Sequence, residues 1–261
     1  MQDKSTHEVS GKMIEITQEE LAIDCFLLAG RMLIQSGAET YRAEDTMLRM
    51  ASSQGLTDAQ SFVTPTGIIF SAGHKRPTRI AQISSRTTDL EKIALINSVS
   101  RKLTAGVITL EEAYEELLRI ERTNLFFPIW VQVLASAIAS GCFLILFKGT
   151  WVDVPYAVVI GGIGYLIFLA MHSLTKVKFF AEFTGSLFVG LLSVLVIKLG
   201  WGYQLDKIVI GSVMPLVPGL PIANAVRDLM AGHFVSGVAK GMEALLTAFA
   251  IGAGIALALS F

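Results

Sequence analysis

Charge is scarce in this sequence. Only 16% of its 261 residues are Asp, Glu, Lys or Arg, while 52% are hydrophobic; a soluble domain carries about 25% charged residues. The net charge of −1 leaves no electrostatic footprint for nucleic acid, so no nucleic-acid partner is expected. Two cysteines, Cys25 and Cys142, fall in a predicted helix and a predicted apolar span. That excludes a disulfide framework and a thiolate metal cluster, and no metal or other cofactor is expected. Residues 1–11 lack the apolar core of a signal peptide. Thr64-Pro65-Thr66-Gly67 is not a phosphate loop, because no GxxxxGK[ST] pattern surrounds it. Ser61, Ser71, Ser84 and Ser85 lie in no G-x-S-x-G elbow, and His74, beside Lys75 and Arg76, reads as an exposed turn residue. No catalytic residue is expected. Proline is also sparse, seven in all, yet Pro215, Pro218 and Pro221 crowd one short stretch.

What is present is unevenly spread. Residues 1–124 hold most of the charge and no apolar run long enough to span a bilayer; residues 125–261 are largely apolar. The expected architecture is an α-helical multi-pass membrane protein with an N-terminal cytosolic α+β domain. A flexible stretch, 1–16, precedes that domain at 17–124, and the membrane part follows at 125–261. Thr17 with Glu20 and Thr109 with Glu112 form capping boxes that open helices. Helical periodicity also covers residues 38–54 and 89–103; residues 61–64 and 67–71 read as two short strands or one bent strand, and 79–83 as another strand. Five spans are drawn at about 126–147, 154–174, 179–199, 208–230 and 235–261. The Lys and Arg bias keeps the N-terminal domain in the cytosol and places the C-terminus outside. Gly161, Gly162, Gly164, Gly185 and the Gly237/Gly241 pair mark close helix packing.

The fourth span cannot be a continuous helix. Each of its three prolines removes an amide donor and pushes the preceding residue out of the α region. Irregular backbone at membrane depth survives only where protein buries it or where it lines a watery cavity. The expectation is an opening at Pro215–Gly219 and a half-helix starting with Pro221 as its first residue. That helix presents free amides and a positive dipole to an anion. Asn224, Arg227 and Asp228 share one face of it, so Pro218, Gly219, Pro221, Asn224, Arg227 and Asp228 form the candidate substrate site. Other polar groups in apolar segments are Glu182, Lys240 and Glu243, candidates for coupling. Spacing suggests that Lys178 pairs with Glu182 and Lys240 with Glu243. In the N-terminal part, Glu39, Arg42, Glu44 and Asp45 crowd one helix: either a solvated, salt-bridged face or a cytosolic site or interface.

Several of these motifs taken together resemble one family. Gly37-Ala38-Glu39-Thr40-x-Arg42-x-Glu44-Asp45, Thr64-Pro65-Thr66-Gly67, the helix with Leu90, Asn97 and Arg101, Pro218-Gly219-x-Pro221-x-x-Asn224-x-x-Arg227-Asp228 and Gly232 with Ser236-Gly237 are similar to the threonine/serine exporter family. The similarity is to its N-terminal half and to its stand-alone YjjP-type members. The resemblance implies a bacterial inner-membrane protein exporting a small carboxylate: threonine and serine in fused members, a dicarboxylate such as succinate in split ones. It also implies a small multi-pass YjjB-like partner subunit, which an odd span count would place antiparallel to this chain, and a possible higher oligomer. Two other readings stay open: a membrane-tethered hydrolase-like enzyme using the cytosolic residues, and a non-transporting membrane adaptor.

Overall fold

The computed structural model describes residues 3–73 and 76–261, with the side chains of residues 3–17 outside that description. The Thr17 side chain and His74 therefore lie outside the described residues. The chain divides into two compact units, residues 1–126 with 223–240 and residues 127–222 with 241–261.

The first unit begins with α1 (Asp3–Gln35) and α2 (Thr40–Ser53). Helix α1 starts well before Thr17, so the expected capping box does not mark its beginning. Gly37 ends the connection with φ of +87°, a left-handed conformation costly for other residues, and a Cβ there would come 3.0 Å from the Thr87 carbonyl. Three antiparallel strands follow in the order β1 (Gln60–Thr64), β2 (Gly67–Ser71), β3 (Arg79–Gln82). Phe62 pairs with Ile69, and Ile69 with Ile80. The alternate positions Val63, Ile68 and Phe70 are buried. Thr64 closes the hairpin, its hydroxyl donating to the Gly67 carbonyl and accepting from the Gly67 amide.

Helix α3 (Leu90–Thr104) is capped by Asp89, which accepts from the Lys92 amide, and α4 (Leu110–Arg122) opens on the complete Thr109/Glu112 box. The core is Phe26, Leu33, Met47, Met50, Phe70, Ile96 and Leu117, with Phe26 edge-on to Phe70 at 6.1 Å. Burying a side chain of this size contributes about 1.5–3 kcal/mol.

The second unit holds α5 (Ile129–Leu146), α6 (Val154–Thr175), α7 (Lys178–Lys198) and α8 (Leu205–Val213), together with the end of α10 (Phe234–Ala258). Small residues set its packing. A Cβ on Gly161 would collide with Ser140, one on Gly164 with Val189, and one on Gly185 would lie 3.1 Å from the Gly164 carbonyl. Asp153 is fully buried and accepts from the Tyr203 and Gln204 amides and the Thr150 hydroxyl, tying the start of α6 to the start of α8.

Among the described residues, four helices, α5, α6, α7 and α10, are long and apolar enough to cross a membrane. The fifth candidate is the segment with the prolines, and it is broken: α8, a 3-10 turn over Met214–Leu216, then α9 (Gly219–Met230), with a 63° bend. The break is narrower than Pro215–Gly219. Pro215 fits the first turn of the 3-10 helix, where its missing amide costs little, and Val217 carries the extended conformation at ψ of 131°. Helix α9 starts at Gly219, so Pro221 is its third residue rather than its first.

Helices α7 and α10 run in the same direction. Lys178, which opens α7, pairs with Glu243 of α10, and Lys198, which ends α7, donates to the Phe261 carbonyl at 2.9 Å. The protein is a multi-pass membrane protein.

Candidate functional site

The first unit is closed by a late piece of chain. Residues 223–240 supply most of α9 and the start of α10, and they meet the turn between α1 and α2 through a chain of polar contacts. Asp228 is wholly inaccessible to solvent. Its Oδ1 accepts the Thr40 amide at 2.9 Å, and its Oδ2 accepts the Thr40 hydroxyl at 2.9 Å and the Lys240 ammonium at 2.8 Å. Lys240, 8% exposed, also donates to the Ala38 carbonyl at 3.1 Å. Asn224 donates to the Gly37 carbonyl at 2.8 Å, and Ser236 to the Val63 carbonyl at 3.2 Å. Every residue from Gly37 to Thr40 thereby has a partner on α9 or α10.

The turn needs those partners. Thr40 opens α2, so its amide is an orphan of the helix start, and Glu39 in the cap position makes no side-chain cap. Asp228 takes over the capping role from a distant part of the sequence.

Glu39 turns instead to two cations. It is buried, with Arg227 at 2.6 Å and Arg42 at 3.4 Å. Both guanidinium groups remain about half exposed, at 56% and 54%. Two positive groups sharing one carboxylate leave a net positive site open to solvent, suited to a second carboxylate held by planar, bidentate contacts.

The expected α2 cluster therefore divides. Glu39 and Arg42 join Arg227, while Asp45 pairs with Arg49 on the exposed face. Glu44 points elsewhere, beside the Val63 amide and His233, and burial pushes its carboxyl above the usual range, the two neighbours pulling the other way. A raised folded-state pKa favours the protonated form, so this contribution to stability is present below the unfolded-state value and fades as pH rises through the folded one. Glu44→Gln is expected to flatten that fall above about pH 4.3 and to leave stability at neutral pH equal or higher, as followed by thermal unfolding of the full chain across pH.

Two expected pairings give way to longer-range ones. Lys240 pairs with Asp228 rather than Glu243, and Lys178 with Glu243 rather than Glu182. In each case the ion pair forms with a partner on another helix rather than with the neighbour one turn away. The first turn of α9 is also less open than expected: the Gly219 amide donates to the Val217 carbonyl, the Ile222 amide to the Pro218 carbonyl, and Pro221 has none. A Cβ on Gly219 would meet nothing within 4 Å, so the backbone there is accessible. Among the described residues, no group of three His, Cys, Asp or Glu is placed to hold a metal. Sequence reasoning passed over Thr40 as a partner of Asp228, and also Asp153 and Thr247, because their partners lie far away in the chain or on another helix.

The family model of the ThrE threonine/serine exporters matches residues 24–261. The chain belongs to this family. Its curated relatives include a "Probable threonine/serine exporter" of Mycobacterium tuberculosis, 23% identical over 91% of this chain and 45% of that protein. A "Probable succinate transporter subunit YjjP" of Klebsiella aerogenes is 24% identical over 92% of both chains. "Pheromone-regulated membrane protein 10" of Kluyveromyces lactis is 26% identical over 87% of this chain and 24% of its own length. The chain thus spans less than half of the mycobacterial ThrE relative and nearly all of the Klebsiella one. No solved structure matches it.

Proposed function

We propose that the chain is a subunit of a secondary exporter that moves a small carboxylate metabolite out of the cytoplasm. The observation that carries this reading is Glu39 held between the half-exposed Arg42 and Arg227. The substrate carboxylate competes with Glu39 for the two guanidinium groups. For threonine or serine, Glu39 then takes the ammonium group; for a dicarboxylate such as succinate, the two arginines divide the two carboxylates. The exposed backbone at Gly219, between the buried Pro218 and the half-buried Pro221, supplies the next station, in the manner of broken helices in transporters. Asn224 and Asp228, whose hydrogen bonds go to the turn at residues 37–40, hold Arg227 in place.

In this reading the first unit is cytosolic, the membrane is the bacterial inner membrane, and a small YjjB-like multi-pass subunit completes the pathway. The name of the Klebsiella relative, a transporter subunit, supports a partner. The relatives' names as exporters and transporters favour transport over the hydrolase reading. Separation of Glu44 and Asp45 from Glu39 and Arg42 also weakens the case for a four-residue catalytic cluster.

The test is release of labelled threonine, serine and succinate from cells carrying the chain with and without the partner. Efflux of one solute class is expected only with both subunits. Efflux by the chain alone overturns the subunit reading, and no efflux of any of the three overturns the substrate class.

A further inference from the structure

Glu182 lies one turn into α7 and is 4% exposed. Its Oε2 is buried and completes no hydrogen bond. Thr247 faces it from α10; its fully buried hydroxyl is near enough to interact with the carboxyl group, but the two do not reach good hydrogen-bond geometry. A native structure rarely leaves such groups unsatisfied without a functional reason.

The charges around Glu182 compensate it only in part. Lys178, one turn earlier on α7, is committed to Glu243 of α10 at 3.0 Å. Helix α6, which also packs on α7, brings His172, stacked on Phe168, and Tyr165, whose hydroxyl donates to Gln132. Ser186, one turn further along α7, donates to the Phe183 carbonyl. With all three groups ionised, Lys178, Glu182 and Glu243 carry one positive and two negative charges in an apolar bundle. A proton on Glu182 brings the set to neutrality and turns an orphaned acceptor into a donor. Thr247 suits both states, since a hydroxyl accepts from the protonated acid and donates to the carboxylate.

We propose that Glu182 is the proton-binding site of the transport cycle. It takes up a proton from one side of the membrane as a carboxylate and releases it to the other, with no covalent change, so that the proton gradient drives export. This rests on the exporter reading above.

Infrared spectroscopy on the purified full chain reads the proton directly, through the carbonyl band of a protonated carboxylic acid. The band is expected to persist at neutral pH, where an exposed glutamic acid with a pKa of about 4.3 is ionised. It should vanish in Glu182→Gln, weaken in Glu243→Gln, where Lys178 is freed to balance an ionised Glu182, and titrate at a shifted midpoint in Thr247→Val, a change that a merely structural role would not produce. In cells with the partner subunit, Glu182→Gln should keep exchange of labelled solute for unlabelled solute but lose uphill export driven by the pH gradient. The proposal is overturned if the wild-type band is absent at neutral pH, if it survives Glu182→Gln, or if uphill export survives that change. Failure of the exporter reading is separately visible as absence of flux in the wild type, and the infrared band then decides the proton site by itself.

Discussion

Lys240→Met will destabilise the protein by about 3–5 kcal/mol, the usual cost of stripping one member from a buried ion pair. The mutation removes the ammonium group that balances Asp228, which keeps the Thr40 amide and hydroxyl as donors while its charge stays buried. The Ala38 carbonyl loses its side-chain donor at the same time. Asp228→Asn keeps the shape and one acceptor oxygen but leaves Lys240 without a counter-ion. The double variant Asp228→Asn/Lys240→Met should recover much of the loss, because neither charge is then left alone. Thermal unfolding of the four proteins, purified as full chains, measures the cycle. If the double variant loses the sum of the two single losses, the residues are not a coupled pair.

The second large effect concerns transport. Arg227→Gln should lower kcat/KM for export by about 10- to 100-fold, the equivalent of one charge-assisted hydrogen bond worth about 1.5–3 kcal/mol. Stability should change less than in Lys240→Met, because Arg42 still faces Glu39 and the Arg227 guanidinium is more than half exposed. Arg227→Lys should restore only part of the activity, since an ammonium group cannot offer the planar fork. Glu39→Gln then separates the substrates: it should impair threonine and serine, whose ammonium group needs the carboxylate, and spare succinate. Initial efflux rates at several internal concentrations provide the comparison. Unchanged efflux in Arg227→Gln would remove the two-arginine site from the pathway.

The periodic and punctuating features of the fold were legible in the sequence. The Thr109/Glu112 box, the strand pair around Pro65-Thr66 and the break at Pro215–Pro221 all appear near their expected places, because each rests on local rules of capping, turn chemistry and proline geometry. The ion pairs were not legible. Spacing can propose Lys240 with Glu243, but the choice of Asp228 instead is made by packing between helices, and Lys178 goes to Glu243 for the same reason. The candidate site shows the same division. That Asn224, Arg227 and Asp228 lie along one side of a short helix follows from their numbers; that Gly37, Glu39 and Thr40 are their partners does not, since about 190 residues separate the two groups. The resemblance had named both motifs without joining them.

The discontinuity of the first unit has a consequence for the order in which the protein is made. Chains fold from the N-terminus as they leave the ribosome, yet the α1–α2 turn cannot find Asp228, Asn224 or Lys240 until α5 to α8 have been synthesised. Until then the Thr40 amide, the carbonyls of Gly37 and Ala38, and the Glu39 carboxylate wait in water. Closing the unit therefore reports that the intervening segments have been made and that α9 has come back to the right place. A fragment ending at residue 126 will keep its α1–α4 core but not its turn, and a chain whose insertion fails will display that open turn to the cell's proteases.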